Sequence, residues 1–216
     1  MISCSSSYAT AQFLSSKGFK EDVYVVGEKG IYDELQNVGI RCIGLEDNEQ
    51  KDVSVLTNME DRVGTVVVGL DRNINYVKMS RAASYIRDYH CRFIATNADG
   101  SYPNAGGIVS GGSGCMVAAI STICGKQPDV VVGKPNSVFI DLILESHPEL
   151  EKKDIMMVGD RLDTDIAFAR QNQIYSLCVL TGIASEESIK AVADVSAPHF
   201  YTTSIADLHS ILLAKS

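Results

Sequence analysis

"IMMVGDRLDTDIAFARQNQIYSLCVL", residues 155–180, decides how this chain folds. An apolar run, 155–159, stops at Asp160. A helical stretch follows near 163–172, and a second apolar run fills 174–180. Apolar runs with little alternation, spaced by helices, indicate parallel βαβ units buried on both faces. In an open parallel sheet, ligands bind at the carboxyl ends of the strands. Asp160 therefore sits at a strand tip, with Asp163 and Asp165 around the start of the next helix.

The same rhythm extends in both directions. Upstream, 22–27, 41–45, 63–70, 91–96 and 129–133 read as strands, the third rich in β-branched residues. Helical patterns occupy 28–39, stopped by Gly39, then 76–90, 115–125 and the region near 136–147. The stretch 97–114 is rich in Gly, Asn, Asp and Ser and predicts a loop or hairpin. Downstream, 199–203 is a last strand and 205–214 a closing helix.

Bulk properties exclude some functions. The 216 residues suit one large domain or two small ones. A net charge of -8 disfavours nucleic acid, which calls for a basic face. A small anionic substrate feels only the local field of its pocket. The six cysteines (Cys4, Cys42, Cys91, Cys115, Cys124 and Cys178) form no CxxC pair. They read as buried free thiols of a reducing compartment. The four histidines show no metal-ligand spacing. No signal peptide or bilayer-spanning run is evident, so no membrane partner and a cytoplasmic location are expected.

The strand 129–133 runs into Lys134, as the strand 155–159 runs into Asp160. If the two strands are neighbours, one cation and two or three anions share one crevice. Grouped carboxylates suit a hard cation such as Mg²⁺, and a lysine beside them suits a phosphate. Together they make half of a phosphoryl-transfer site. Each residue also has a plainer reading. Asp163 and Asp165 could be acids favoured by a helix N-terminus, and Lys134 an ordinary surface lysine. Phosphate-binding glycine loops are absent: 130–135 lacks the upstream Gly and following Ser/Thr of a P-loop.

"VVVGKP", "MMVGDRLDTDI", "LTGIAS" and "PHFYTTSIADL" together resemble the C-terminal half of a haloacid dehalogenase superfamily phosphatase. The group is that of 4-nitrophenyl, phosphoglycolate and pyridoxal phosphatases. "SSSYATAQFL", "VYVVGEKGIYDEL", "VVVGLDRNINYVKMSRA" and "FIATNADGSYPNAGGIVSGGSG" resemble its α/β cap and flanking hinges, so the likeness covers essentially the whole chain. The resemblance implies an α/β fold: a Rossmann-like parallel-sheet core, incomplete at its amino end, with a large inserted α/β cap. Residues 1–21 and 129–216 would form the core remnant and 22–128 the cap. It implies that Lys134 holds phosphoryl oxygens and orients the nucleophile. Asp160 would be a Mg²⁺ ligand and Asp165 would support the metal shell. Asp163 would lie in the same loop, by the substrate phosphate. The substrate would be a small phosphorylated metabolite. Asp71, Tyr76, Asn97 and Asp99 of the cap could bear on its choice, or could simply be turn residues.

One departure from the family pattern matters. Its attacking Asp lies in a "DxDGT" segment, followed by a "TNNS"-like phosphate motif, and these 216 residues hold neither. By this resemblance the chain would begin where the second motif ends. Two readings follow. In one, the chain is a fragment of a Mg²⁺-dependent phosphatase, inactive alone. In the other, it is a non-catalytic anion-binding or interaction module. The missing strand would leave an exposed core edge that favours a homodimer.

Overall fold

The computed structural model describes residues 5–103 and 108–213, in two compact units, one up to Gly133 and one from Lys134 onward. Cys4, the middle of the 97–114 loop and the last residue of the expected closing helix lie outside the described residues.

The first unit is built on a five-stranded parallel sheet of order β2-β1-β3-β4-β7. These strands are β1 (Asp22–Val26), β2 (Cys42–Ile43), β3 (Val63–Val68), β4 (Arg92–Ala95) and β7 (Val130–Val131). All five residues of β1 are buried, as an apolar run covered on both faces requires. Helices α1 (Ser6–Ser16) and α2 (Lys29–Asn37) pack on one another. Helices α3 (Tyr76–Arg87) and α4 (Ser113–Cys124) do likewise, against β3. The β1-to-β2 crossover runs one way along the sheet and the β3-to-β4 crossover the other. Right-handed connections then place α2 on one face and α3 on the opposite face. Tyr24, Tyr85, Phe93 and Ile120 are fully buried in this core.

A polar network holds the excursion between β2 and β3. Two short 3₁₀ turns, 45–49 and 53–57, run there. Tyr24 donates to Asp47 Oδ2 at 2.7 Å, and Arg81 Nη1 donates to the same carboxylate at 3.1 Å. Burial first, then Asp47, raises the Tyr24 hydroxyl far above the ordinary phenol value. Beside them Lys78 pairs with Asp71, both side chains at 0% exposure, and donates to Asn48 Oδ1 at 2.7 Å. The expected hairpin is present: β5 (Ser101–Pro103) pairs antiparallel with β6 (Val109–Gly111).

The second unit holds a three-stranded parallel sheet, order β10-β9-β8. Its strands are β8 (Met156–Gly159), β9 (Tyr175–Val179) and β10 (Phe200–Thr202). Helix α5 (Val138–Ser146) precedes β8, α6 (Ala167–Asn172) crosses from β8 to β9, α7 (Glu186–Ala191) from β9 to β10, and α8 (Ile205–Leu213) closes the unit. Ile140, Phe168, Ala169 and Ile174 form one apolar cluster, and Ile166, Cys178, Ala184 and Ile189 another. Within its sheet β8 has one partner, β9, and its residues are less buried than those of β9.

One expectation needs correcting. The strands at 129–133 and 155–159 do not pair with each other. Asp129 to Val132 zip onto β4: the Asp129 N–H donates to the Phe93 carbonyl at 2.7 Å and the Val132 N–H to the Ala95 carbonyl at 2.9 Å. The Asp129 carboxylate also accepts from the Phe93 N–H at 2.8 Å. β8 instead pairs with β9. The compact units divide at 133/134: α1 packs on α2, and β7 completes the first sheet. The cysteines are mixed: Cys91, Cys124 and Cys178 are buried, Cys42 is half-buried and Cys115 exposed, all free thiols. Among the described residues no helix is long and apolar enough to cross a membrane.

Candidate active site

The site forms at the carboxyl end of β8, where Gly159 gives way to Asp160. The segment Leu162–Ile166 is a single wide turn of π type, with the Ile166 N–H reaching back to the Arg161 carbonyl at 3.1 Å. Such turns mark functional segments, because one extra residue per turn swings a side chain off the α-helical track. Here it returns the Asp165 carboxylate to the strand tip. Asp165 Oδ2 accepts from the Asp160 N–H at 3.1 Å and from the Arg161 N–H at 3.2 Å. Gly159 makes room for this, since a Cβ there would collide with the Asp165 carboxylate.

Asp165 Oδ1 takes Lys134 Nζ at 2.6 Å. Asp165 is nearly buried, at 7% side-chain exposure, while Lys134 stays 41% exposed. The ammonium is thus held from below and open above. Asn172 Nδ2 steadies the lysine loop by donating to the Pro135 carbonyl at 3.2 Å.

Asp160 faces the loop after β9. Its Oδ2 accepts from the Ile183 N–H at 2.9 Å, and its carbonyl accepts from the Ala184 N–H at 2.9 Å. A Cβ on Gly182 would strike this carboxylate. Asp160 Oδ1 has no hydrogen bond among the described residues. The Cys178 thiol on β9 senses the same field: burial first, then the Asp160 and Asp165 carboxylates, raise it above the ordinary thiol value.

The structure therefore brings Lys134, Asp160 and Asp165 to one strand tip, all within the second unit. Asp163 stands apart. It is exposed and grips its neighbour, with Arg161 Nε to Oδ1 at 3.1 Å and Nη2 to Oδ2 at 2.7 Å. That guanidinium holds its carboxyl below the usual carboxylate range. The roles of Gly182 and Ile183 were not read from sequence; the one available signal was the Gly that follows the strand in "LTGIAS". The four cap candidates are placed more plainly. Asp71 is the buried partner of Lys78, and Tyr76 is an exposed first residue of α3. Asn97 accepts from the Asp99 N–H at 3.2 Å, an Asx turn.

Charge decides what this tip can accept. Lys134 against Asp160 and Asp165 leaves a net charge of about -1 by simple count. A phosphate dianion is repelled by such a site unless a cation comes with it. Mg²⁺ fits the donor chemistry: it takes oxygens, keeps several waters, and needs only one or two carboxylates. The donor number is small. Among the described residues there is no group of three or more His, Cys, Asp or Glu side chains able to hold a metal. Asp160 alone has an unengaged carboxylate oxygen at the tip, since Asp165 is filled by Lys134 and two N–H groups.

Comparison with known proteins gives the same direction. The HAD-hydrolase-like family model matches residues 131–208. The chain is similar to phosphoglycolate phosphatase 2 of Arabidopsis thaliana, 38% identical over 215 residues, covering 96% of this chain and 71% of that protein. It spans between 57% and 63% of the length of seven further curated relatives. Among solved structures it is similar to a p-nitrophenyl phosphatase from Archaeoglobus fulgidus. The TM-score there is 0.79 at 29% identity, covering 95% of this chain and 73% of that one. It is also similar to a glycerol phosphate phosphatase from Mycobacterium tuberculosis in complex with magnesium. Here the TM-score is 0.77 at 28% identity, covering 94% and 56%.

Proposed function

The chain belongs to the haloacid-dehalogenase-like phosphatases of the phosphoglycolate and 4-nitrophenyl phosphate group, and on that premise we propose that its second unit is the phosphate- and Mg²⁺-binding half of a phosphate monoester hydrolase. The observation that carries this is the Lys134–Asp165 contact of 2.6 Å beside a half-exposed Asp160. Lys134, open on one side, neutralises phosphoryl oxygens as a point charge. Asp165 positions Lys134 and fixes the loop. Asp160 would hold Mg²⁺, whose bound charge would neutralise the phosphate as it approaches. Asp163 stays near the phosphate loop and acts through Arg161. Residues 22–128 correspond to the cap, and 1–21 with 129–216 to the core remnant. The substrate is a small phosphorylated metabolite, and neither nucleic acid nor a membrane takes part. The free thiols suit the cytoplasm.

In-line attack on phosphorus needs an uncommitted carboxylate or other nucleophile. Lys134 is a cation, Asp165 is filled, Asp163 is paired, and Asp160 is assigned to the metal. We expect the 216-residue chain to hydrolyse 4-nitrophenyl phosphate at no more than background rate. A chain extended at its amino terminus by a "DxDGT" segment should turn it over with Mg²⁺, and Asp160→Asn should lower both activity and Mg²⁺ dependence. Clear Mg²⁺-dependent turnover by the 216-residue chain, abolished by Asp160→Asn, would sink this division of labour. The commitment of all three carboxylates also favours a second reading, a non-catalytic anion-binding module. An extended chain that stays inactive while binding phosphate would select it. The single pairing of β8 within its sheet supports association with a second copy. Sedimentation showing a monomer at high concentration would count against that.

A further inference from the structure

The first unit has a ligand-binding topology of its own. In the order β2-β1-β3-β4-β7, the crossovers diverge between β1 and β3. Open α/β sheets bind ligands at this divergence, outside the carboxyl ends of the strands. A crevice of about 240 Å³ lies there. Its floor is the ends of β1, β3 and β4, at Glu28, Leu70 and Thr96.

Three helices begin on its rim. Ser6 and Ser7 open α1, Gly30 is in the first turn of α2, and Ser113 opens α4. Helices α2 and α4 have no side-chain cap; the Gly114 N–H is taken by the Asp99 carbonyl at 2.9 Å, while the Gly30 and Ser113 N–H groups make no hydrogen bond among the described residues. The dipoles of all three helices favour negative charge at the same place. Glu28, the one carboxylate among the described lining residues, is paired with Arg72, whose Nη2 donates to Oε2 at 2.8 Å.

A second observation comes from the buried hydroxyls. Ser113 is 3% exposed, lines the crevice, and its hydroxyl makes no hydrogen bond among the described residues. Thr96, 2% exposed, receives only a long 3.4 Å contact from Asn97 Nδ2. The Ser113 side chain is thus buried yet unpartnered where it lines the crevice, and its hydroxyl is a donor left for a ligand. Among the described residues no lysine or arginine lines the crevice, so the recognition is by neutral donors arriving from several sides. A tetrahedral oxyanion accepts from all of them; a planar carboxylate offers only two oxygens.

We propose that this crevice of the first unit is an oxyanion site that takes the phosphoryl group of a small anion. It does not depend on the reading of the second unit. The test is a titration of ¹⁵N-labelled 216-residue chain with inorganic phosphate, without divalent cations. Saturable shifts are expected at the amides of Ser6, Ser7, Gly30 and Ser113, with Kd on the order of 1 mM. They should persist in Lys134→Ala. Gly30→Glu should weaken binding about tenfold or more, by placing a negative charge on the rim. A side chain at Gly30 meets open space, and an acid in the first turn favours α2, so this variant should fold. If it does not, Ser113→Ala reads the same site, with about threefold weaker binding on the scale of one neutral hydrogen bond. Acetate should bind about tenfold more weakly than phosphate, by the loss of donor contacts. Absence of saturable shifts at these amides, or their loss in Lys134→Ala, overturns the site. Equal binding of acetate overturns its assignment to phosphate.

Discussion

Two of the molecule's lysine–aspartate pairs, one in each unit, do opposite things. Lys78 and Asp71, in the first unit, are both 0% exposed. Lys134 and Asp165, in the second, are 41% and 7% exposed. The first pair is closed on all sides: Lys78 also bonds Asn48, and Asp71 accepts from the Asn73 N–H at 2.9 Å. Neither side chain reaches solvent, so the pair serves the scaffold. In the second pair only the carboxylate is sealed, and the ammonium keeps an open side. The same two residue types make architecture where water is excluded and chemistry where one partner still meets it.

Mutation should separate these roles. The largest effect is expected from Lys78→Met, which leaves Asp71 buried without a counter-charge. Breaking a buried pair this way costs about 3–5 kcal/mol. Urea unfolding should show it, and Lys78→Met with Asp71→Leu should recover much of the loss. A cost below about 1 kcal/mol, the range of surface pairs, would mean the pair is wetter than described.

Next in size is Lys134→Ala. Its pair is half open, so the midpoint of urea unfolding should move by less than about 1 kcal/mol. Activity of the amino-terminally extended chain should nevertheless fall about 10²-fold or more, the scale of losing one charge-stabilising group. A variant that unfolds but keeps its activity would reverse the comparison. Asp165→Ala should cost about 1–3 kcal/mol, because it strips the acceptor from the Asp160 and Arg161 N–H groups. It should also lower activity with Lys134 still present.

The smallest effect concerns pH. Arg161 holds the Asp163 carboxyl below its ordinary value. Its stabilisation is therefore fully present above the ordinary Asp pKa and is lost only as pH falls through the lowered one. Between neutrality and pH of about 5 the pair should be unchanged, and its total worth is under about 0.5 kcal/mol for an exposed pair. Carboxyl carbon shifts of Asp163 followed by NMR, with and without Arg161→Gln, would show it. A titration at the ordinary Asp value in the parent chain would break the assignment.

Much of this was legible in the sequence, and the gaps have physical causes. β1, β3, β4, β8 and β9 announced themselves as short apolar runs because both faces of a parallel sheet are covered. The 97–114 hairpin showed in its turn residues. Helix α1 did not, since Ser and Thr crowd its ends and its period is weak. The 3₁₀ turns of 45–57 are held by Tyr24, Arg81 and Lys78 from distant parts of the chain, which no local window contains. Strand pairing is a tertiary relation, so the sequence leaves the partner of 129–133 open, and the structure pairs it with β4. At the site, "GKP" and "GDRLDTD" gave the residues but not their bonds. The turn of π type decides that Asp165 holds the lysine, and spacing alone would have served Asp163 as well.

Gly159 and Gly182 carry a consequence for tolerance to change. Neither has the left-handed backbone that would reserve its place for glycine. Each is closed to a side chain by a carboxylate packed against its α-carbon, Asp165 in one case and Asp160 in the other. A saturation library read by folding and activity should therefore show two blank columns where alanine fails along with everything else. A second change that shortens or removes the facing carboxylate should reopen each column to alanine, restoring the fold without the chemistry.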